Sequence, residues 1–483
     1  MRNYVLLTGA TGLLGQYLVR DMLLDGHRVA VLVRPTKKQT PAQRIEQTMQ
    51  MWDEQLGRPL PRPVVIPGDI TQEGLGLSPE DQEWVKSHCT TMLHCAASLQ
   101  FVEHKGEPWR TNIDGTKNVL SFCEANEINE MHYVSTAYVC GHRQEVVMED
   151  DLDVGQEFRN DYEQSKFTAE KMVRECPAFA AEKLTVYRPV VITGDSETGY
   201  TSTYHGTYLY MKLASVLRGN VEPNEKGEYH IPVRWGLKGD ERRNITAVEW
   251  NSKVMLRIFN TPEAHGKTLH MAPSDPITMK DAIDYASDYY KLTGIEFHGF
   301  GTNPPHTLNE MERWLWNSIS IYGSYDFMDP QFDTTNLLKF AGDIHCPKLT
   351  KEMAFLLMDY AEEDKWGKRK RPAVIDAKID VQSHLSSITA VATDQPTSTI
   401  AIDVLGPGGS PWTVRMGRDG ITAYERGLSP EAAATLSISS EELAELQGQG
   451  SAAASALESR LAGEEVDVTR LAEALLPQTI ENS

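Results

Sequence analysis

YVLLTGATGLLG, at residues 4–15, is the stretch that decides the fold of this chain. Its first four residues are typical of a buried strand, and the glycine spacing G-x-x-G-x-x-G follows directly. Gly9 permits a tight turn, Gly12 lets backbone N–H groups approach a pyrophosphate, and Gly15 lets the next helix pack close to the strand. The helix start adds the positive end of a dipole. The stretch therefore predicts a strand–turn–helix unit that binds a dinucleotide.

The end of the next predicted strand, at 27–33, indicates which dinucleotide. An acidic residue there would accept a hydrogen bond from the ribose 2′-hydroxyl of NAD. This chain has Arg34 instead, with Lys37 and Lys38 close behind and Arg44 further on. A guanidinium binds a 2′-phosphate in a bidentate manner, whereas a carboxylate repels it. The pattern favours NADP(H) over NAD(H).

The composition is that of a globular protein, with 40% hydrophobic and 24% charged residues among 483. This length suits two or three domains. The net charge of -21 speaks against nucleic acid and against an anionic membrane surface as partners. The six cysteines form no C-x-x-C pair, and no apolar run is long enough to span a bilayer. We therefore expect a cytoplasmic protein without disulfides, signal peptide or transmembrane segment.

Strand and helix patterns alternate along the first part of the chain. Further strand-like apolar runs lie at 64–67, 91–95, 131–135 and 184–187. The alternation predicts an α/β fold with a Rossmann-like, doubly wound parallel sheet. We expect one NADP-binding domain at 1–367, whose small substrate subdomain comes mainly from 195–245 and 275–365.

A basic cluster at 368–372 precedes a change in composition. Beyond it, strand patterns lie at 398–404, 412–416 and 435–438, and helical patterns at 440–447 and 468–476. The segment 368–483 is therefore expected to form a small α+β domain, joined by a charged linker.

Tyr162 and Lys166 form a Y-x-x-x-K pair on a predicted helix. One turn of helix places Lys166 beside Tyr162. The ammonium group is expected to lower the pKa of Tyr162 toward neutrality, as acid–base catalysis requires, and to hold a nicotinamide ribose. Ser135 and Thr136 close a predicted strand, so a hydroxyl is expected at the carboxyl edge of the sheet. These residues together predict a catalytic set.

Four motifs stand in this order along the chain: T-G-A-T-G-x-x-G at 8–15, H-C-A-A at 94–97, S-T-A-Y-V at 135–139 and Y-E-Q-S-K at 162–166. Together they resemble the extended short-chain dehydrogenase/reductase family. Five more segments are L-V-R at 32–34, P-G-D-I at 67–70, L-G-L-S-P-E-D at 75–81, H-Y-V-S-T at 132–136 and Y-R-P-V-V-I-T-G-D-S at 187–196. These resemble the thioester reductase and fatty-acyl reductase branch of that family. Cys95 departs from the pattern, which often has asparagine there.

The resemblance implies an NADPH-dependent reductase of a fatty or polyketide-like acyl thioester, bound to CoA or to an acyl carrier protein and reduced to aldehyde or alcohol. The implied catalytic residues are Thr136, Tyr162 and Lys166. The implied cofactor contacts are Gly9, Thr11, Gly12, Leu13, Gly15, Arg34, Arg44, Asp69, Ile70, Ala96, Lys166, Pro189, Val191 and Ile192. An NAD(P)-dependent hydroxysteroid or lipid-alcohol dehydrogenase, a ketoreductase and a redox-sensing binding protein are the alternatives.

No metal site is predicted from the sequence. His94 and His104 flank an apolar segment, but a metal ion would need more convergent ligands.

The last hundred or so residues contain I-A-I-D-V-L-G-P-G-G-x-x-W-T-V at 400–414 and A-A-A-T-L-S-I-S-S-E-E-L-A-E-L at 432–446. They resemble the sterol-carrier-protein lipid-binding domain. The resemblance implies a domain that holds an apolar substrate near the reductase; the alternative is a dimerisation module in a homodimer. We expect a chain ending near Gly367 to fold and to reduce short substrates normally.

Overall fold

The computed structural model describes residues 3–301, 307–319, 328–370, 374–388 and 397–476. Its strands are β1 (Tyr4–Thr8), β2 (Arg28–Val33), β3 (Val64–Pro67), β4 (Cys89–His94), β5 (Glu130–Val134), β6 (Leu184–Pro189), β7 (Val191–Thr193), β8 (Tyr229–Trp235), β9 (Arg242–Arg243), β10 (Ile245–Ala247), β11 (Thr268–Met271), β12 (Ile277–Thr278), β13 (Leu292–Phe297), β14 (Ser398–Leu405), β15 (Pro411–Met416), β16 (Ile421–Arg426), β17 (Ala434–Ser439) and β18 (Leu461–Gly463). Its α-helices are α1 (Leu13–Leu24), α2 (Pro41–Leu56), α3 (Pro79–His88), α4 (Gly115–Ala125), α5 (Asp161–Glu175), α6 (Thr207–Arg218), α7 (Val248–Phe259), α8 (Met279–Tyr290), α9 (Glu310–Ile319), α10 (Thr335–Ala341), α11 (Lys351–Glu363), α12 (Val381–Ser387), α13 (Ser440–Leu446), α14 (Ala454–Glu458) and α15 (Val468–Leu475).

Seven parallel strands form the central sheet, in the order β11–β6–β5–β4–β1–β2–β3. All five residues of β1 are buried, as expected for a strand that is covered on both faces. The chain passes from β1 to β2 and β3 on one side, then crosses to β4, β5 and β6 on the other. The predicted doubly wound parallel sheet is confirmed. The winding reverses between β1 and β4, and ligands of such sheets bind beyond the carboxyl ends of the strands at this point.

A buried ion pair fixes helix α5, which carries the Y-x-x-x-K pair, to the sheet. Glu170 Oε1 lies 2.7 Å from Arg188 Nη2 of β6, and both side chains are 0% exposed. Arg174 Nη2 lies 2.8 Å from the same carboxylate oxygen. Because Glu170 is one turn beyond Lys166 on the same helix, this ion pair also sets where Tyr162 and Lys166 stand above the sheet.

Smaller elements lie beyond the carboxyl ends of the central strands. They include three two-stranded sheets, β10–β7, β12–β9 and β13–β8. Helix α6 packs on α8, which in turn packs on α11. Residues of 195–245 and 275–365 supply most of these elements; that they form a substrate subdomain remains a prediction. The domain limits at 1–367 remain a prediction.

A five-stranded mixed sheet forms the tail, in the order β16–β15–β14–β17–β18. It has an apolar core of its own, with Val404, Leu436 and Leu471 at its centre. The tail is therefore a mixed α/β unit, as predicted, and β16 and β18 are additions to the predicted strands. Its sterol-carrier character and its limits at 368–483 remain predictions.

The tail packs against the amino ends of the central strands. Trp84 Nε1 of α3 donates to the carbonyl oxygen of Arg426 (2.8 Å), and Arg426 pairs with Asp81 (2.6 Å). The backbone N–H of Leu428 donates to the hydroxyl of Tyr4, the first residue of β1 (2.6 Å). The tail is therefore joined to the rest of the chain by these contacts as well as by the linker, and it covers the aromatic side chains of Tyr4 and Trp84.

Removing the tail should therefore lower the stability of the remaining chain. A chain that ends at Gly367 would expose Trp84 and Tyr4, and loss of a central interface tryptophan contact typically costs about 2 kcal/mol or more. Calorimetry should show a melting temperature several degrees below that of the reductase transition in the full chain. Arg426→Ala in the full chain should lower the melting temperature by part of this amount. Arg415→Ala, on the neighbouring strand, should change it little. Equal melting temperatures for the long and short chains would contradict the prediction.

Candidate active site

The glycine turn between β1 and α1 leaves no room for side chains. Gly9 has φ of +80°, and a Cβ there would lie 2.7 Å from the backbone nitrogen of Ala96. A Cβ on Gly15 would overlap the carbonyl oxygen of Gly9. The N–H of Gly12 donates to the same carbonyl oxygen (2.9 Å), which closes the turn. The backbone is thus free to approach a pyrophosphate closely, so these residues fit a dinucleotide.

A buried histidine locks the turn to the neighbouring strand. His94 Nδ1 lies 2.6 Å from the hydroxyl of Thr8, which also accepts from the N–H of Ala96 (3.2 Å). Its Nε2 lies 3.3 Å from the Thr116 hydroxyl. Burial lowers the pKa of His94 to about 3, so the ring is neutral. His94 therefore holds the carboxyl ends of β1 and β4 together.

Two arginines stand next to the glycine turn. Arg44 Nη2 donates to the hydroxyl of Thr11 (2.8 Å), and its Nη1 donates to the carbonyl oxygen of Arg34 (2.7 Å). Burial, and then the charge of Arg34, lower the pKa of Arg44. Within the described residues neither guanidinium pairs with a carboxylate. This leaves two adjacent positive charges at the end of β2.

The loops after β3 and β4 carry three more of the predicted cofactor contacts. Asp69 accepts from the N–H and hydroxyl of Thr71 (both 2.9 Å), and the carbonyl oxygen of Ile70 accepts from Asn118 Nδ2 (2.8 Å). Ala96 is the second residue after β4. Their backbones are therefore fixed beside the glycine turn.

A cavity of about 560 Å³ opens at the carboxyl edge of the sheet. It brings together most of the predicted site residues, namely Gly9, Thr11, Gly12, Leu13, Gly15, Thr136, Tyr162, Lys166, Pro189, Val191 and Ile192. The remaining ones, Arg34, Arg44, Asp69, Ile70 and Ala96, lie outside its lining. The cavity therefore lies where the predicted pyrophosphate and nicotinamide contacts come together.

Thr136 and Tyr162 both line this cavity, and the Thr136 hydroxyl, which lies close enough to Tyr162 to affect its pKa, donates to the carbonyl oxygen of Pro189 (3.3 Å). Burial raises the pKa of Tyr162 to about 12, although Thr136 lowers it. This corrects the expectation of a pKa near neutrality.

The position of Lys166 explains why the pKa of Tyr162 is raised and not lowered toward neutrality. Lys166 Nζ donates to the carbonyl oxygen of Val134 (2.8 Å) and to the hydroxyl of Tyr133 (3.0 Å), rather than to Tyr162. Burial lowers the pKa of Lys166 to about 8. A half-buried tyrosine whose lysine neighbour is held by backbone stays protonated, because desolvation disfavours the phenolate more than the ammonium stabilises it.

Asn112, which sequence reasoning missed, supports the catalytic helix. Its Nδ2 donates to the hydroxyl of Ser165 on α5 (2.9 Å) and to the carbonyl oxygen of Ser98 (3.0 Å). Its Oδ1 accepts from the N–H of Ser98 (2.8 Å). Asn112 lies in a π-helical turn, a feature frequent at functional sites. It joins the loop after β4, which borders the cavity, to the helix that carries Tyr162.

The substrate side of the cavity combines an apolar wall with one polar corner. The apolar and aromatic residues are Leu99, Phe101, Tyr210, Met279 and Ala282. In the corner, the carboxylate of Asp329 accepts from the hydroxyl of Tyr138 (3.2 Å) and the N–H of Asn244 (2.8 Å). Burial raises the pKa of Asp329, and the charge of Arg243 opposes that rise. No motif signalled Asn244 and Asp329, because they come from separate loops, whereas Tyr138 lies in the S-T-A-Y-V motif.

The part of the chain that the structure describes contains no helix both long and apolar enough to cross a bilayer.

Comparisons with known proteins agree on one family. Residues 7–233 match the family model described as "Male sterility protein". The chain is 26% identical to a component of the linear gramicidin synthase of Brevibacillus parabrevis, over 74% of this chain and 7% of that protein. It is 25% identical to aldehyde reductase lnaA of Aspergillus flavus, over 72% of this chain and 35% of that protein. The chain thus spans about a third or less of these relatives.

A solved structure shows the same fold. The terminal R domain from the myxalamid PKS-NRPS biosynthetic pathway aligns with a TM-score of 0.60 and 24% identity. The alignment covers 77% of this chain and 93% of that domain.

Proposed function

Residues 7–233 belong to the male sterility protein family of extended short-chain dehydrogenase/reductases, and from this premise we propose that the chain is an NADPH-dependent reductase of carrier-bound or CoA-bound acyl thioesters. One observation carries the proposal: the side chains of Thr136 and Tyr162 come together in the cavity that the glycine turn also lines. A carbonyl group placed there would face two hydroxyl groups.

These hydroxyls can stabilise the oxyanion that forms when the thioester carbonyl is reduced. Bound NADPH would supply the hydride. Because the pKa of Tyr162 is about 12, its hydroxyl keeps its proton at neutral pH and can act as a proton donor. Tyr162 donates its proton to the oxyanion and recovers it as the carbonyl re-forms and the thiolate leaves; the thiolate takes its proton from solvent, because a thiol is a stronger acid than this tyrosine. Thioester, NADPH and one proton thus give aldehyde, free thiol and NADP⁺. A second round on the aldehyde would give the alcohol.

The names of the relatives and the cavity support the substrate class. One relative is part of a gramicidin synthase and another is an aldehyde reductase. The apolar wall suits an acyl chain, and an acyl carrier protein is the partner we propose for its delivery.

Thiol release is the decisive measurement. The purified chain should oxidise NADPH in the presence of acyl-CoA esters and release one thiol per aldehyde formed, detected with a chromogenic disulfide. The second arm of the experiment repeats this assay with acyl groups bound to a carrier protein. NADPH oxidation with ketones but not with thioesters would instead favour the lipid ketoreductase alternative, and absence of oxidation across chain lengths in both arms would exclude the proposal.

The choice of cofactor should depend on Arg34. We propose that Arg34 and Arg44 bind the 2′-phosphate of NADPH, since Arg34 follows β2 and Arg44 of α2 donates to both Arg34 and Thr11. A hydrogen bond to a charged group is worth about 1.5–3 kcal/mol. Arg34→Asp should therefore reduce the ratio of kcat/KM for NADPH to that for NADH by about 10- to 150-fold.

Arg58→Asp is the matched control, because Arg58 is also exposed but follows the far end of α2. It changes the net charge equally and should leave the ratio unaltered. An unchanged ratio in Arg34→Asp would remove Arg34 from the cofactor site.

A further inference from the structure

A cluster of two histidines and a glutamate lies at the amino edge of the central sheet, outside the cavity. Glu130 and His132 are two residues apart on β5, so their side chains share one face of the strand. His265 comes from the loop before β11. One potential metal-binding atom from each side chain lies within 4.8 Å of the other two.

The hydrogen bonds of His265 leave two acceptors facing each other. Its Nε2 lies 3.1 Å from the carbonyl oxygen of Phe259, which can only accept, so Nε2 must carry a proton. In the neutral ring, Nδ1 then presents a lone pair. Nδ1 lies 2.9 Å from Glu130 Oε1, which is also an acceptor when ionised. A positive species, either a proton or a metal ion, must therefore lie between them.

His132 independently indicates that the cluster lacks a partner. Its Nδ1 lies 2.8 Å from the hydroxyl of Tyr187, whereas its Nε2 is buried without a hydrogen-bond partner among the described residues. The side chain is 1% exposed, so bulk solvent does not reach this nitrogen. A buried polar atom without a partner typically costs about 1–3 kcal/mol. An ion bound by His132 Nε2 would remove that cost.

We propose that Glu130, His132 and His265 bind a divalent transition-metal ion, with Zn²⁺ as the best match. Two neutral imidazoles and a carboxylate form a typical zinc donor set, completed by water or by the second carboxylate oxygen. The carbonyl oxygen of Phe259 and the hydroxyl of Tyr187 hold the other ring nitrogens. Metal-binding histidines usually have such partners, which fix the tautomer.

The geometry needs only small shifts. Ligand atoms about 2.0–2.1 Å from a tetrahedral ion are roughly 3.3 Å apart; in the cluster, His265 Nδ1 and Glu130 Oε1 are 2.9 Å apart and would open slightly, while the other distances are at most 4.8 Å and would close. Lys183 Nζ lies 3.5 Å from Glu130 Oε1 and would have to turn away, which its half-exposed side chain permits. The ion would join β5 to the loop that precedes β11, so its role is structural.

Cobalt binding tests the site directly. The full chain, freed of metal by a chelator, should bind one Co²⁺ with the visible absorption of a four-coordinate ion, and Zn²⁺ should displace it and raise the melting temperature. His132→Gln and His265→Gln should each abolish the absorption. Tyr187→Phe should weaken binding by about 10- to 100-fold without abolishing it. His27→Gln is the control, because His27 packs on the Phe259 ring but is outside the cluster.

NADPH binding by each variant would verify that it is folded. Failure of the wild-type chain to bind Co²⁺, or the same absorption in His265→Gln, would overturn the proposal. Either result would leave His265 as an imidazolium paired with Glu130. The wild-type titration decides the matter even where a variant does not fold.

Discussion

Replacing Tyr162 by phenylalanine should lower turnover by about two to four orders of magnitude, the range that general acid catalysis contributes. The variant keeps the ring, which packs near Phe101, and loses only the hydroxyl that lies near Thr136. NADPH binding should therefore change little. Single-turnover rates with acyl-CoA, together with NADPH fluorescence titrations, would separate the two effects.

Tyr210→Phe is the control for this variant, because Tyr210 lines the same cavity but is not part of the proposed catalytic set. It should keep most of the activity. Lys166→Ala should impair both turnover and NADPH affinity, since Lys166 is the residue proposed to hold the ribose. A Tyr162→Phe enzyme with near-normal turnover would remove Tyr162 from the mechanism.

Replacing Glu170 by alanine should lower the free energy of unfolding by about 3–5 kcal/mol, the usual effect of removing one partner of a buried ion pair. Arg188 would remain as a buried charge that has lost its carboxylate. Urea unfolding measures the loss. Lys171→Ala is the control on the same helix, because its pair with Asp153 is largely exposed and should be worth less than about 1 kcal/mol.

The same carboxylate should contribute to acid sensitivity. Burial alone would raise the pKa of Glu170, but the charges of Arg188 and Arg174 hold it at about 2, against an ordinary value of 4.5. The folded state therefore binds the proton less tightly than the unfolded state. The stabilisation is present above pH 4.5 and is lost as the pH falls toward 2. Glu170→Gln should flatten the stability profile in this window; an unchanged profile would contradict the assignment.

The sequence predicted the parts of the fold and site that depend on local patterns. The apolar runs gave six of the central strands, whereas β11, with only four residues and a histidine among them, carried too weak a signal. The glycine turn and the Y-x-x-x-K pair were likewise predicted, because each is a fixed spacing of residues within a short stretch of sequence. The direction of the pKa shift of Tyr162 was wrong, because the balance between burial and the distance to Lys166 exists only in the folded chain.

Contacts between distant segments escaped prediction for the same reason. Asn244 and Asp329 meet across 85 positions in the chain, and Asn112 reaches Ser165 across 53. Loop residues of this kind form no periodic pattern. Their roles become visible only when the fold has brought the loops together.

The tail lies on the amino edge of the sheet, and Tyr162 stands at the carboxyl edge. The two are separated by at least the length of a central strand, which for the five residues of β1 is roughly 17 Å. An acyl chain held by the tail would therefore have to travel around the outside of the molecule to reach the cavity. Transfer of an acyl chain from the tail of one copy to the cavity of another copy does not require this path. Any transfer from tail to reductase should therefore be a second-order process, whose rate rises with protein concentration.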